Sequence, residues 1–244
     1  MRTLVGVTEA HMREFWDRRA DEDALYFVDN RLEYGRADAD RFWASGPLDL
    51  DTLLGSLGVT IAPSDSIVEI GCGVGRLTRP LSARAARVTA LDISGRMLAL
   101  ARHHNPQLEN VDWLHGDGSS LAGIDDACAD GCVSHVVFQH IPDPAVTLSY
   151  VRDMGRVLRP GGWAAFQISD DPRVHRAVSR RSMLRTRVLA SAGRGPHGQA
   201  DPAWLGSAVS VDALRSAAGA AELDLERVVG AGTQFCLVLA RRGP

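Results

Sequence analysis

Short apolar segments alternate with helical segments through the middle of this 244-residue chain. This alternation constrains the fold more than any other feature. Each apolar segment has the length and residue types of a buried strand. The predicted strands are residues 66–70, 87–92, 111–114, 131–137 and 163–169, with helices at about 76–86, around 97–101 and at about 144–158. Strands joined in this way run parallel with right-handed crossovers, so the sequence predicts an α/β fold.

The two ends of the chain depart from this alternation. The amino-terminal part has apolar residues at helical spacing, and an arginine-rich stretch with helical character follows the fifth strand. The four predicted segments are a helical extension (1–62), the sheet core (63–170), a helical insertion that could form a lid over a substrate (171–208), and a closing helix and hairpin (209–244).

The closing hairpin is predicted from its glycines. After a helix that begins near Ser210, two strands are predicted at residues 224–229 and 233–240, and only residues 230–232 separate them. A short loop that contains glycine is typical of an antiparallel pair. The sheet should therefore have seven strands, mostly parallel with an antiparallel last strand, and helices on both faces.

Composition excludes several classes of function. All 27 basic residues are arginine, which removes Schiff-base lysines and a phosphate-loop lysine. The net charge of −3 gives no overall field that would hold a polyanion, so we expect no nucleic-acid partner. The four cysteines form no C-x-x-C pair, and neither a signal peptide nor a membrane span is apparent, so we expect a cytoplasmic protein without membrane association.

A glycine-rich turn joins the first strand to its helix. Residues 69–75 read E-I-G-C-G-V-G, and Asp92 ends the next strand, 17 residues beyond Gly75. Such a turn, with an acid placed to accept ribose hydroxyls, predicts an adenosine-type ligand. A dinucleotide fingerprint would need a third glycine where Arg76 stands, which argues against an NAD(P)-dependent oxidoreductase, the alternative enzyme class.

At this point the sequence resembles the class I S-adenosylmethionine-dependent methyltransferases, in their small-molecule branch, which have a Rossmann-like sheet. Four more segments support the resemblance: Gly116-Asp117-Gly118 after the third strand, residues 134–143 after the fourth, residues 156–162 before the fifth, and the antiparallel last strand. The resemblance implies S-adenosylmethionine as cofactor. The cofactor-binding residues it implies are Glu69, Gly71, Gly73, Asp92, Ile93, Met97, Asp117, Gly118 and Ser134.

The resemblance also directs attention to two histidines near the end of the fourth strand. His140 is the preferred base for a hydroxyl or a protonated amine, and His135 is the second candidate, although each could instead be structural. Asp170 and Asp171 follow the fifth strand, where catechol-type relatives place metal ligands. The fourth-strand segment lacks the acid that those enzymes use, so no metal site is predicted.

The methyl acceptor is a small molecule whose identity the sequence does not specify, nor whether oxygen, nitrogen or carbon is methylated. Arg181 and Arg185 interrupt an apolar stripe in the insertion and could bind a substrate anion, although a run of charges is usually a solvated face. Trp16 and Tyr26 could line the substrate pocket, or could belong to the core. A methyltransferase-like partner subunit without catalytic activity remains the non-enzymatic alternative, and the oligomeric state is open.

Overall fold

The computed structural model describes residues 8–176 and 196–244. A seven-stranded sheet with the order β3-β2-β1-β4-β5-β7-β6 runs through the described part. The first five strands pair in parallel, while β7 pairs antiparallel with both β5 and β6. The strands are β1 (Ser66–Ile70), β2 (Arg87–Asp92), β3 (Val111–His115), β4 (Ala129–Ser134), β5 (Leu158–Ile168), β6 (Leu223–Val229) and β7 (Cys236–Arg242). The predicted α/β class and the antiparallel last strand are confirmed.

Helices flank this sheet, and side chains cap most of their amino termini. The side chains of Thr8, Asp38, Ser94, Asp143, Asp201 and Ser210 each accept a backbone hydrogen bond at a helix start. The helices are α1 (Glu9–Val28), α2 (Ala39–Leu57), α3 (Thr78–Ser82), α4 (Gly95–His104), α5 (Pro144–Val157), α6 (Pro202–Leu205) and α7 (Val211–Gly219). A single 3₁₀ turn, Phe138–His140, follows β4 in the described part of the chain.

Several predicted boundaries differ from the structure, and β5 begins at Leu158 instead of residue 163. Three of the differences have a local cause. The fourth strand ends at Ser134 instead of residue 137, because Val136 has a φ of 59° and leaves the extended conformation. The loop between β6 and β7 covers six residues instead of three, because the Thr233 N–H and hydroxyl both bond to the Gly230 carbonyl and prolong the turn. Helix α3 ends at Ser82, since the Ala86 N–H bonds to the Asp65 carbonyl and turns the chain into β2.

Three buried clusters organise the packing. One packs α5 and α7 against the sheet, and a second packs α2 and α3 against it, so both faces are covered. A third cluster, which includes Ala20, Phe42, Val74 and Met97, joins the two amino-terminal helices to the glycine turn and to α4. The amino-terminal helices therefore lie beside the carboxyl ends of the parallel strands, where open α/β sheets bind ligands.

Candidate active site

A cavity of about 580 Å³ lies at the carboxyl ends of β1, β2 and β4. This volume is typical of a small-molecule site. Helix α1, the segment between α1 and α2, and the loop between β6 and β7 complete its walls. Among the predicted site residues, the cavity is lined by Trp16, Glu69, Gly71, Gly73, Asp92, Ile93, Met97, Gly118, His135 and His140.

The glycine turn allows two other segments to approach closely. Gly71 and Gly73 have φ values of 76° and 54°, which favour glycine. A Cβ atom at Gly71 would lie 2.4 Å from a Val137 methyl group, and one at Gly73 would lie 2.9 Å from a Val28 methyl group. Glycine is therefore needed here both for the turn and to admit α1 and the segment after β4.

Asp92 holds the glycine turn against the end of β2. Its two carboxylate oxygens accept hydrogen bonds of 2.8 Å from the backbone N–H groups of Gly73 and Ser94. The residue is 8% exposed and lines the cavity, and burial raises the pKa of its carboxyl group. It can offer remaining lone pairs to the hydroxyl groups of a ligand.

Glu69 is the second buried carboxyl group of the cavity. The Thr78 hydroxyl donates to its Oε2 at 2.6 Å. Burial raises the pKa of Glu69 to about 7 despite this hydrogen bond and the nearby charge of Arg76. A cationic group bound in the cavity would stabilise the ionised form of this side chain.

An apolar surface lies next to Asp92. Ile93, Met97 and Gly118 all line the cavity. Gly118 has a φ of 92°, and a Cβ atom there would lie 2.2 Å from the Ile93 Cδ1 atom. The absence of a side chain at Gly118 thus allows Ile93 to pack against this backbone, which leaves a flat apolar face.

Asp117 and Ser134 lie beside the cavity and do not line it. The Asp117 carboxylate accepts hydrogen bonds from Ser119 and Ser120 in its own turn. The Ser134 hydroxyl donates to the Ile70 carbonyl at 3.0 Å and joins β4 to β1. Their roles towards a cofactor stay predictions.

The predicted substrate residues fall into three groups. Trp16 lines the cavity, whereas Tyr26 packs edge-to-face on Tyr34 outside it. Arg181 and Arg185 lie outside the described residues. Contacts with an acceptor are therefore a proposal for Trp16 and stay a prediction for the other three.

Four rings form a continuous aromatic wall, made of Trp16, Phe27, His140 and Trp204. The Trp204 ring lies 5.5 Å from Phe27 and 5.2 Å from His140 between centroids, and the Trp16 ring lies 5.6 Å from His140. All four line the cavity. Trp204 was not predicted, because it belongs to a one-turn helix far from the recognised motifs. The local signal for that helix is its Asp201-Pro202 start.

The two candidate histidines have different surroundings. His135 lines the cavity, and its buried Nδ1 atom has no hydrogen-bond partner among the described residues. Both nitrogens of His140 are engaged, with Nδ1 2.7 Å from the Trp204 carbonyl and Nε2 3.2 Å from the Gln139 amide. Burial lowers the pKa of both residues to about 4, so both are neutral near pH 7.

Arg76 stands where a dinucleotide fingerprint has its third glycine, and it forms a buried ion pair. Its guanidinium group bonds to Asp49 and Ser45 of α2. Arg31 bonds to the same Asp49 and to Asp29, at 2.7 Å in each case. Although burial acts to raise the pKa of Asp29, Arg31 and Arg76 hold it at about 2. This cluster fastens the amino-terminal extension to the glycine turn, and the sequence motifs gave no sign of it.

Asp170 and Asp171 follow β5, at the position where the sequence predicts no metal site. Asp170 accepts a hydrogen bond from the Gly232 N–H at 2.7 Å, and Asp171 pairs with Arg173 at 2.8 Å. Residues 8–176 and 196–244 contain no cluster of three or more His, Cys, Asp or Glu side chains suited to a metal ion. Within the same ranges, none of the helices combines the length and apolar character that a bilayer crossing requires.

Residues 68–166 match the family described as "Methyltransferase domain". This match covers the strands and turns that build the cavity from β1 to β5. The match agrees with the predicted resemblance to class I S-adenosylmethionine-dependent methyltransferases. It also agrees with S-adenosylmethionine as the expected cofactor.

Curated relatives match about half of the chain. The ubiquinone biosynthesis O-methyltransferase of Nitrosomonas europaea is 30% identical over 118 residues, which are 48% of this chain and 47% of that protein. The protein of the same name from Alkalilimnicola ehrlichii is 33% identical over 121 residues, 49% of this chain and 47% of its own. The chain thus matches about half the length of these relatives.

Solved structures share the fold over a larger part of the chain. The N-methyltransferase NodS from Bradyrhizobium japonicum, in complex with S-adenosyl-L-homocysteine, has a TM-score of 0.58 at 16% identity, covering 96% of this chain and 98% of that one. An S-adenosylmethionine-dependent methyltransferase from Mesorhizobium loti has a TM-score of 0.58 at 20% identity, covering 77% and 95%. At these identities the likeness establishes the fold alone.

Proposed function

We propose that the protein transfers a methyl group from S-adenosylmethionine to a hydroxyl group of a flat, uncharged small molecule, and that His140 accepts the hydroxyl proton. The observation that carries the proposal is a single cavity that contains both the glycine turn with Asp92 and the aromatic wall with His140. The names of the curated relatives favour oxygen as the acceptor atom.

The residues around the glycine turn fit the cofactor. Gly71 and Gly73 form a tight turn that lines the cavity, and Asp92 offers acceptors for ribose hydroxyls. Glu69 is a buried carboxyl group whose raised pKa suits a cationic partner such as an ammonium group. Ile93 offers an apolar face for a base. When bound, S-adenosylmethionine supplies an electrophilic methyl group on a sulfonium sulfur.

The aromatic wall favours a flat acceptor. Trp16, Phe27 and Trp204 offer large apolar surfaces, which stack well on another ring. None of these side chains carries a charge, and a neutral His140 adds none near pH 7. A wall of this kind holds an uncharged aromatic alcohol without leaving a buried charge unpaired.

His140 can take the proton that methylation releases. In the overall reaction the sulfur–methyl bond breaks, a carbon–oxygen bond forms, and the hydroxyl proton moves to the imidazole. The low pKa of His140 keeps the ring unprotonated near pH 7, so its lone pair is available. The wall also surrounds the acceptor with apolar side chains, and alignment of the acceptor in such a site supplies much of the catalysis expected for methyl transfer.

The test is methyl transfer to hydroxylated and aminated aromatic rings. S-Adenosylhomocysteine formation should be seen with dihydroxybenzenes and exceed that with anilines. His140→Gln should lower turnover about a hundredfold while S-adenosylhomocysteine still binds with unchanged affinity. Turnover with anilines alone, or full activity in His140→Gln, would contradict the proposal. Calorimetry with NAD tests the oxidoreductase alternative, and no turnover with any acceptor would favour a non-catalytic subunit.

A further inference from the structure

A chain of side-chain amides connects the middle of the sheet to His140. Gln167 lies in β5 and is completely buried, and Gln139 in the 3₁₀ turn is 5% exposed. Gln167 Nε2 lies 3.1 Å from Gln139 Oε1, and Gln139 Nε2 lies 3.2 Å from His140 Nε2. Buried amides in such a chain must match donors to acceptors at each step.

A backbone group fixes the direction of this chain. The Val136 N–H can only donate, and it lies 3.0 Å from Gln167 Oε1, so that atom is the carbonyl oxygen. The Gln167 NH₂ group then donates to Gln139 Oε1 and, at 2.6 Å, to the carbonyl of Gln234. Because Gln139 Oε1 accepts, the NH₂ group of Gln139 is the one that faces His140.

The direction of the chain determines the tautomer of His140. An amide nitrogen donates and does not accept, so His140 Nε2 must carry the lone pair that receives it. The ring proton is then on Nδ1, where the Trp204 carbonyl accepts it at 2.7 Å. The Gln139 amide at Nε2 and the Trp204 carbonyl at Nδ1 thus indicate the same tautomer independently.

We propose that Gln167 is a positioning residue for methyl transfer, which acts through Gln139 to hold His140 neutral, protonated on Nδ1, with the Nε2 lone pair directed to the acceptor. The inference rests on the proposed function of His140 as base. The hydroxyl of the acceptor takes the place of the Gln139 amide as donor to Nε2, and then passes its proton to that atom. The bonds that break and form during methyl transfer are those given above for the proposed function.

Gln167 also holds two other segments that line the cavity. Its Oε1 atom holds the N–H of Val136, whose φ of 59° is unfavourable for a β-branched residue. Its NH₂ group also holds the carbonyl of Gln234 in the loop between β6 and β7. Val136 and Gln234 both line the cavity, so one buried amide orients three segments around the acceptor.

Substitution of Gln167 by glutamate tests the chain. The carboxylate of Gln167→Glu can accept from Val136 but cannot donate to Gln139. The Gln139 amide should then rotate, donate to residue 167 and present its oxygen to His140. With acceptors at both nitrogens, the imidazolium form is favoured, so the pKa of His140 should rise from about 4 to above about 7. Among the described residues, the other titratable side chain that acts on the pKa of His140 is His175, whose ring bonds to Ser169 and Leu205.

The readout is ¹⁵N NMR of histidine-labelled protein, with the His140 signals assigned from their loss in His140→Gln. In the unmodified protein we expect a protonated Nδ1 and an unprotonated Nε2 from about pH 5.5 to 8. In Gln167→Glu, both nitrogens should be protonated at neutral pH, and turnover should fall about a hundredfold and recover above the new pKa. Gln107→Glu, an exposed position, makes the same chemical change away from the site and should leave both measurements unchanged.

Several outcomes separate the two proposals. An Nε2-protonated ring in the unmodified protein, or unchanged His140 signals in Gln167→Glu, would overturn the role of Gln167. If Gln167→Glu does not fold, Gln139→Glu places a carboxylate directly at Nε2 and should produce the same imidazolium, so an unchanged ring there would overturn it too. Full turnover in His140→Gln beside the expected NMR signals would instead refute the proposed base.

Discussion

The buried carboxyl group of Glu69 should make cofactor binding depend on pH. Burial raises its pKa to about 7 in the free protein, so Glu69 is largely protonated in slightly acidic solution. If it receives the ammonium group of S-adenosylhomocysteine, it binds that ligand as a carboxylate. The proton must then leave on binding. We therefore expect affinity to increase as the pH rises through about 7 and to level off above it.

The size of the effect follows from the pKa of about 7 in the free protein. At about pH 6 roughly ten molecules hold the proton for each one that does not, whereas at about pH 8 the ratio is reversed. The dissociation constant should therefore be about tenfold higher at the lower pH, which corresponds to about 1.4 kcal/mol. The pKa of His135 and of His140 is about 4, so these residues titrate below this window.

The same raised pKa has the opposite consequence for the stability of the free protein. A glutamate in the unfolded chain titrates near 4.5, so the folded state holds this proton more tightly than the unfolded state. The resulting stabilisation is complete below about pH 4.5 and is lost as the pH rises through about 7. Ligand-free protein and ligand affinity should thus respond to pH in opposite directions.

Calorimetric titration with S-adenosylhomocysteine, in buffers with different ionisation enthalpies, measures both affinity and proton release. Close to one proton should be released per ligand at about pH 6 and very few at about pH 8. Glu69→Gln is the matched variant and should remove both the pH dependence and the proton release. Thr78→Val, which removes the hydroxyl donor to Glu69, should shift the transition to higher pH.

Two results would refute this reasoning. A flat affinity profile in the unmodified protein would mean that Glu69 does not meet a cationic group of the ligand. A pH dependence that survives in Glu69→Gln would assign the proton to another group, of which Asp92 is the first to examine because burial raises its pKa as well.

Three further predictions concern other parts of the site and the fold. Asp92→Asn should weaken S-adenosylhomocysteine binding by about 1.5–3 kcal/mol in calorimetry, and unchanged affinity would contradict a role in ribose binding. Trp204→Ala should raise the KM of an aromatic acceptor more than it lowers turnover, since stacking holds the ring before and during transfer. Gly46→Ala should cost about 3 kcal/mol or more in urea unfolding, because its Cβ would lie 2.2 Å from the Arg76 carbonyl oxygen; Gly55→Ala, in the same helix with open space, should stabilise by about 0.5–1 kcal/mol.

The sequence by itself determined the sheet and the side of the cavity that contains the glycine turn. Strand segments, the glycine turn and Asp92 are local patterns, because a strand, a tight turn and a strand end each depend on neighbouring residues. Their order along the chain then fixes which ends meet, since parallel strands place their carboxyl ends at one edge of the sheet. The predicted β1 and β2 match the structure residue for residue.

The tertiary structure alone decided the side of the cavity that contains the aromatic wall. Trp204 meets His140 across 64 positions of the chain, and Gln167 meets Gln139 across 28. Arg76, where a dinucleotide fingerprint has glycine, finds Asp49 on a helix of the amino-terminal extension. Such contacts depend on how separate elements pack, and no periodicity or motif within one element encodes the partner. The tautomer of His140 belongs to the same class, because it follows from a backbone N–H and a carbonyl that only the folded chain brings to the two ends of one ring.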